Sequence, residues 1–106
     1  MGGLSNSHVE LLLLAVLDSG AAHGYAVISA VKQRSDGAFD LPEGTVYPAL
    51  HRLEASGLVA SRRETVGGRQ RRVYSLTRNG RTALRQGRED WELTVGRVRA
   101  VLAVAQ

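Results

Sequence analysis

The stretch GTVYPALHRLEASGLV (44–59), followed after a basic segment by GGRQRRVYSLTRNG (67–80), decides how this chain folds. Val46, Leu50 and Leu53 recur at helical spacing, so a short helix is expected over about Gly44 to Ser56, stopped by Gly57. Thr45, Tyr47, Pro48, His51 and Arg52 are left toward its outside. Pro48 falls in the first turn or just past it, where its missing N–H costs little. Leu58 to Val66 then reads as a strand, Gly67–Gly68 as a tight turn and Arg69 to Leu76 as the return strand. On the return strand Tyr74 and Leu76 point one way and Val73 and Ser75 the other.

Working outward, Ser7 followed by Glu10 fits a capping box, which starts a first helix near Ser7 and runs it to about Ser19. Leu11 to Leu14, Val16 and Leu17 cover nearly the whole circumference of that helix, so it must be buried on more than one side. A second helix begins around His23–Gly24, with Tyr25, Val27, Ile28 and Val31 at helical spacing and Lys32 and Arg34 in the last turn. In the loop that follows, Phe39 and Leu41 are expected to pin the chain to the core. Thr77 is the natural N-cap of a long last helix reaching about Ala105. Along it Leu84, Trp91, Val98 and Ala105 recur every seven residues, interleaved with Arg88, Val95 and Leu102. Such a helix is roughly 40 Å long at 1.5 Å per residue, more than a small domain covers by itself. A partner subunit is the natural cover, for this helix and for the second side of the first.

The charge is unevenly placed. Residues 1–59 carry a net −3, residues 60–88 set nine arginines against Glu64 for a net +8, and residues 89–106 carry −1. This distribution points to a polyanionic partner, or else to a solvated arginine face. With 106 residues the chain makes one small core, and with no cysteine it has neither disulfides nor thiolate metal sites. No basic leader precedes an apolar core at the N-terminus. The longest apolar run, Leu11 to Leu17, is far short of the ~20 residues that span a bilayer, so a soluble, cytoplasmic protein is expected. His8, His23 and His51 lack ligand-like spacing, no serine sits in a nucleophile elbow, and Gly67–Gly68 lacks the lysine of a phosphate-binding loop. Catalytic residues, metal and cofactor are therefore all expected to be absent, and the chain is not expected to be an enzyme.

The order of these motifs resembles the PadR family of transcriptional regulators, bacterial winged helix-turn-helix repressors, over about Val9 to Leu102. The resemblance rests on the leucine-rich first helix, on His23-Gly24-Tyr25, on Gly44-Thr45-Val46-Tyr47-Pro48-Ala49-Leu50 with Arg52-Leu53-Glu54 and Gly57-Leu58-Val59, and on Gly68-Arg69, Arg72, Tyr74, Leu76-Thr77, Gly80 and Trp91. It implies a mainly α fold with a small β-wing: a winged helix-turn-helix DNA-binding domain over residues 1–76 and a C-terminal dimerisation helix over 77–106. It further implies a cytoplasmic homodimer on a palindromic double-stranded DNA operator. His51 stands where the family pattern has lysine, which weakens one phosphate contact while the imidazole is neutral.

A helix beside a basic ribbon lets a small domain enter a groove and clamp the neighbouring backbone. The residues expected to carry DNA binding are Tyr25, Thr45, Tyr47, Pro48, His51, Arg52, Gly68, Arg69, Arg71 and Arg72. Several have competing roles. Tyr25 also suits core packing, Arg52 suits an ion pair with acids of its own helix or the wing, and strand alternation prevents Arg69 and Arg72 from touching DNA equally. Leu12, Leu84, Trp91, Val95, Val98 and Leu102 are the expected dimer contacts. Trp91, with space left beside it by Gly87, is also a candidate site for a planar aromatic effector. The competing reading from another class is a winged-helix protein-interaction module whose basic wing binds an acidic partner protein. The strip Thr45, Tyr47, His51 suits DNA better than such a partner.

Overall fold

The computed structural model describes residues 4–103. Along the chain run α1 (Asn6–Asp18), β1 (Ala22–His23), α2 (Gly24–Arg34), α3 (Glu43–Ala55), β2 (Val59–Val66), β3 (Arg69–Leu76) and α4 (Arg78–Leu102). The fold is the expected one: helices around a small antiparallel wing, with a long helix at the end. Ser5, not Ser7, caps α1, its hydroxyl accepting from the His8 N–H at 3.3 Å. Glu10 is thereby free of any capping role and pairs with Arg52 instead.

α1 is the centre of the core. Val9, Leu13, Leu14, Val16 and Leu17 are buried against Val27 and Val31 of α2 and Val46, Ala49, Leu50 and Leu53 of α3. Removing each such side chain from water is worth roughly 1.5–3 kcal/mol, which is what fixes α3 to the body. Leu41 packs on this core, but Phe39 does not. It lies at the surface, 37% exposed. Pro48 is also further along than its sequence position implies. With α3 starting at Glu43 it is the sixth helical residue, where it withholds an N–H from the Gly44 carbonyl one turn back.

The sheet has the order β1-β3-β2, all antiparallel, with Val59 opposite Leu76 and Val66 opposite Arg69. Gly67 (φ 58°) and Gly68 (φ 79°) close the hairpin with two positive φ angles in succession, the turn that matches strand twist and that glycine adopts without strain. The two-residue strand β1 pairs Ala22 with Tyr74 and His23 with Val73, making β3 the central strand. Hence Tyr74 and Val73 are both buried although they face opposite ways.

Thr77 joins three elements. Its hydroxyl accepts from the Gly80 N–H (3.0 Å) as the N-cap of α4 and donates to the Gly57 carbonyl (2.7 Å) beyond α3. Its own N–H donates to the Leu58 carbonyl at 3.1 Å. Gly80 rests against that same Leu58 carbonyl, where any side chain would collide with it. The first turns of α4 therefore belong to the body, and Leu84 is part of its core. This corrects the placing of Leu84 among dimer contacts, since at 2% exposure it has no surface to offer. The 25-residue helix then runs past the body, with Trp91, Leu93, Val98, Val101 and Leu102 exposed, Val95 half-covered and Leu12 of α1 half-buried. Trp91, Val95, Val98 and Leu102 share one stripe, whereas Leu93 sits about 200° round the helix from Trp91. Ala105 lies outside the described residues. Among those residues no helix is long and apolar enough to cross a membrane.

Candidate nucleic-acid interface

The outer face of α3 meets the start of α2 at two places, Tyr47 over Gly24 and Glu43 on Tyr25. Gly24, the first residue of α2, has no side chain, and the ring of Tyr47 lies directly over it; a methyl group there would run into the Tyr47 hydroxyl. Tyr47 is thus half-buried rather than free. Its phenol is pushed above the usual value, first by burial and then by the Glu43 carboxylate. Tyr25 points away from the core and is 59% exposed, which excludes a packing role. Its hydroxyl donates to Glu43 Oε2 at 2.8 Å, and that hydrogen bond raises its pKa. Both tyrosines are held as neutral phenols; the single O–H of Tyr25 is already given to Glu43, while that of Tyr47 has no such partner among the described residues. Thr45 is half-buried, while Pro48 and His51 are exposed.

The arginines differ in how far the protein already engages them. Arg52 donates through Nε to Glu10 Oε2 at 2.8 Å, so its carboxylate partner comes from α1 rather than from α3 or the wing. Arg71 bonds Glu64 on the facing strand at 3.3 Å. Arg72 Nη1 donates to Ser61 Oγ (2.9 Å), and Ser61 in turn donates to Glu54 Oε2 (2.6 Å). This relay ties β3 to β2 and β2 to α3, and so fixes the angle between wing and helix. Arg69, beside the Gly67–Gly68 tip, makes no ion pair or side-chain hydrogen bond among the described residues. Surface pairs of this kind are worth at most about 1 kcal/mol, so a phosphate can compete for Arg71 and Arg52.

These groups converge. Tyr25, Tyr47, Arg69, Arg71 and Arg72 line one open cleft of about 460 Å³ between α2, α3 and the wing, together with His23, Gly24, Val66 and Gln70. Thr45, Pro48, His51, Arg52 and Gly68 lie outside this lining. Glu43, which anchors Tyr25, and Glu10, which holds Arg52, do not show these roles on the sequence pattern alone. Glu43 precedes the helix start that Gly44 implies, and Glu10 has the spacing of a capping residue.

A separate region surrounds Trp91. The His8 and Trp91 rings meet edge to face with centroids 5.3 Å apart. Together with Leu11 they separate a cleft of about 330 Å³, lined by Glu10, Leu14, Leu53 and Asp90, from one of about 370 Å³, lined by Leu12, Ala15, Phe39 and Arg88. Gly87 lines the first cleft but does not open space beside Trp91. Its bare Cα admits Leu11, whose Cδ1 would lie 2.6 Å from an added methyl.

Residues 13–86 match the transcriptional regulator PadR-like family. The chain is 55% identical over 49 residues to a transcriptional regulator of Mycobacterium tuberculosis, covering 46% of this chain and 46% of that protein. It is 30% identical over 95 residues to the transcriptional regulator YqjI of Escherichia coli, covering 90% and 44%. It thus spans less than half the length of these two curated relatives. Among solved structures it is similar to a transcriptional regulator from Clostridium thermocellum, with a TM-score of 0.84 and 28% identity, covering 89% of this chain and 92% of that one. It is also similar to a PadR family transcription regulator from Clostridium difficile, with a TM-score of 0.77 and 28% identity, covering 91% and 99%. These relatives are regulators of transcription and not enzymes, as expected from the lack of any catalytic motif. The chain belongs to the PadR-like family of transcriptional regulators.

Proposed function

We propose that this regulator acts as a homodimer on a palindromic double-stranded operator, with α3 entering the major groove and the wing on the flanking backbone. The observation that carries this reading is the convergence of two neutral phenols and three arginines on one open cleft beside α3. Thr45, Tyr47, Pro48 and His51 would face base edges and nearby phosphates, Tyr25 and Arg52 the backbone, and Gly68, Arg69, Arg71 and Arg72 the wing's phosphates or minor groove. The stripe Trp91, Val95, Val98 and Leu102, with Leu12, supplies the dimer contact. Residues 1–76 would form the DNA-binding part and 77–106 the dimerisation helix, working in the cytoplasm.

Within this reading the chain represses transcription until a planar aromatic small molecule, stacked on Trp91 in one of the two clefts that flank its ring, loosens its grip. A gel-shift on the DNA upstream of its own gene tests the first part. With six to ten phosphate contacts per dimer, affinity is expected to fall about 10³–10⁵-fold between roughly 50 and 200 mM salt. Absent or salt-independent binding would refute it. Trp91 is the only tryptophan, so its fluorescence against a panel of planar aromatics tests the second part, and a flat response across the panel removes the effector.

A further inference from the structure

Glu43 is an acid placed where a polyanion is expected. It is exposed and opens α3, and in helix-turn-helix proteins the N-terminal residues of the second helix reach base edges. A carboxylate can only accept hydrogen bonds, so phosphates repel it and it needs a donor to be tolerated there. Among the described residues no lysine or arginine pairs with it. Its described partner is the Tyr25 hydroxyl at 2.8 Å on Oε2. That bond comes from a different helix, holds the side chain in one place and leaves Oε1 available.

The next residue supplies an independent observation. A methyl group built on Gly44 meets nothing within 4 Å, so packing within the protein does not require glycine there. Glycine inside a helix is nonetheless less stable than alanine. A bare backbone beside a tethered acid fits the close approach of a surface from outside the molecule.

Resting on the DNA-binding reading above, we propose that Glu43 selects cytosine at one position of each operator half-site, with Tyr25 as its positioning residue. In the major groove cytosine presents the N4 amine, the donor that carboxylates read. Gly44 then lets the helix come close enough for Oε1 to reach it. The plainer role, an acid in the first turn favouring the helix dipole, needs neither the tether nor the bare neighbour.

The test is selection of binding sites from a random duplex library by the full chain, its Glu43→Gln variant and its Tyr25→Phe variant. The wild type is expected to enrich a palindrome with a fixed cytosine in each half. Glutamine pairs bidentately with adenine, so Glu43→Gln should shift that position from cytosine toward adenine and lower discrimination for cytosine about 10- to 100-fold. Tyr25→Phe should keep cytosine but weaken the preference. If the wild type enriches a palindrome and Glu43→Gln enriches the same one, even with tighter binding to all sequences, the role of Glu43 is refuted and DNA binding stands. If the wild type enriches no sequence, both readings fall.

Discussion

Replacing Gly24 by alanine forces the new methyl into the space of the Tyr47 hydroxyl, and the cost can be worked from that contact. Overpacking of this kind costs about 1–3 kcal/mol when the neighbour must move, and Gly→Ala in a helix returns at most ~1 kcal/mol. The single variant should therefore lose between ~0 and ~3 kcal/mol. In a Tyr47→Ala background the obstacle is gone, and Gly24→Ala should become neutral or stabilising by up to ~1 kcal/mol. The coupling between the two positions is then about 1–3 kcal/mol, well beyond the ~0.5 kcal/mol within which independent sites add. Urea unfolding of the four proteins at one fixed concentration reads this directly. At a slope of ~1–3 kcal/mol per molar the coupling moves the midpoint by on the order of 1 M. If Gly24→Ala costs the same with and without the tyrosine ring, Tyr47 does not rest on α2 and the cleft described above is misassembled.

Other outcomes follow from the same geometry. Arg69→Ala should lower the slope of log affinity against log salt by about 0.9 for each phosphate lost, so by nearly two in a dimer, with all sequences weakened alike. An unchanged slope would take the wing tip off the DNA. Val98→Asp with Leu102→Asp changes two exposed positions of α4. It should yield a folded monomer by sedimentation velocity and circular dichroism, whereas Leu84→Asp should unfold the chain; a double variant that remains dimeric moves the interface elsewhere. The Tyr25 phenol, raised above 10.0 by its bond to Glu43, favours the protonated form in the folded state. Its contribution to stability is fully present below 10.0 and fades as pH rises through the folded value. Ultraviolet titration should show Tyr25, and to a smaller extent Tyr47, ionising at lower pH in Glu43→Gln than in the wild type, and identical curves would deny the influence of the Glu43 carboxylate on both.

The fold was largely legible because its elements carry their own punctuation. Gly57, the Gly67–Gly68 pair and Thr77 mark a helix end, a hairpin and a cap by local chemistry, and Val46, Leu50 and Leu53 mark the buried side of α3 by period alone. What local pattern does not carry is which distant residue arrives opposite. The two-residue strand β1 is too short to alternate, so the burial of Val73 beside Tyr74 was invisible. Leu84 fits a heptad seam and the protomer's own core equally well until the path of α1 is known. Ser7 and Glu10 have the spacing of a capping box, yet Ser5 makes the cap and Glu10 reaches across to Arg52. Nothing about Gly87 reveals that Leu11 occupies the room it leaves. On the candidate face the tyrosines and wing arginines were readable from type and position. The Tyr25–Glu43 and Arg72–Ser61–Glu54 links were not, because they join residues from separate elements.

The Thr77 hydroxyl and amide fasten the last loop of α3, the root of the wing and the first turn of α4 to one another, with no slack at Gly80 to let them swivel. A lever results. In the proposed dimer, any rotation of the long helix about its neighbour would be handed on as a rigid swing of helix and hairpin together, changing the separation between the two proposed reading heads rather than the shape of either one.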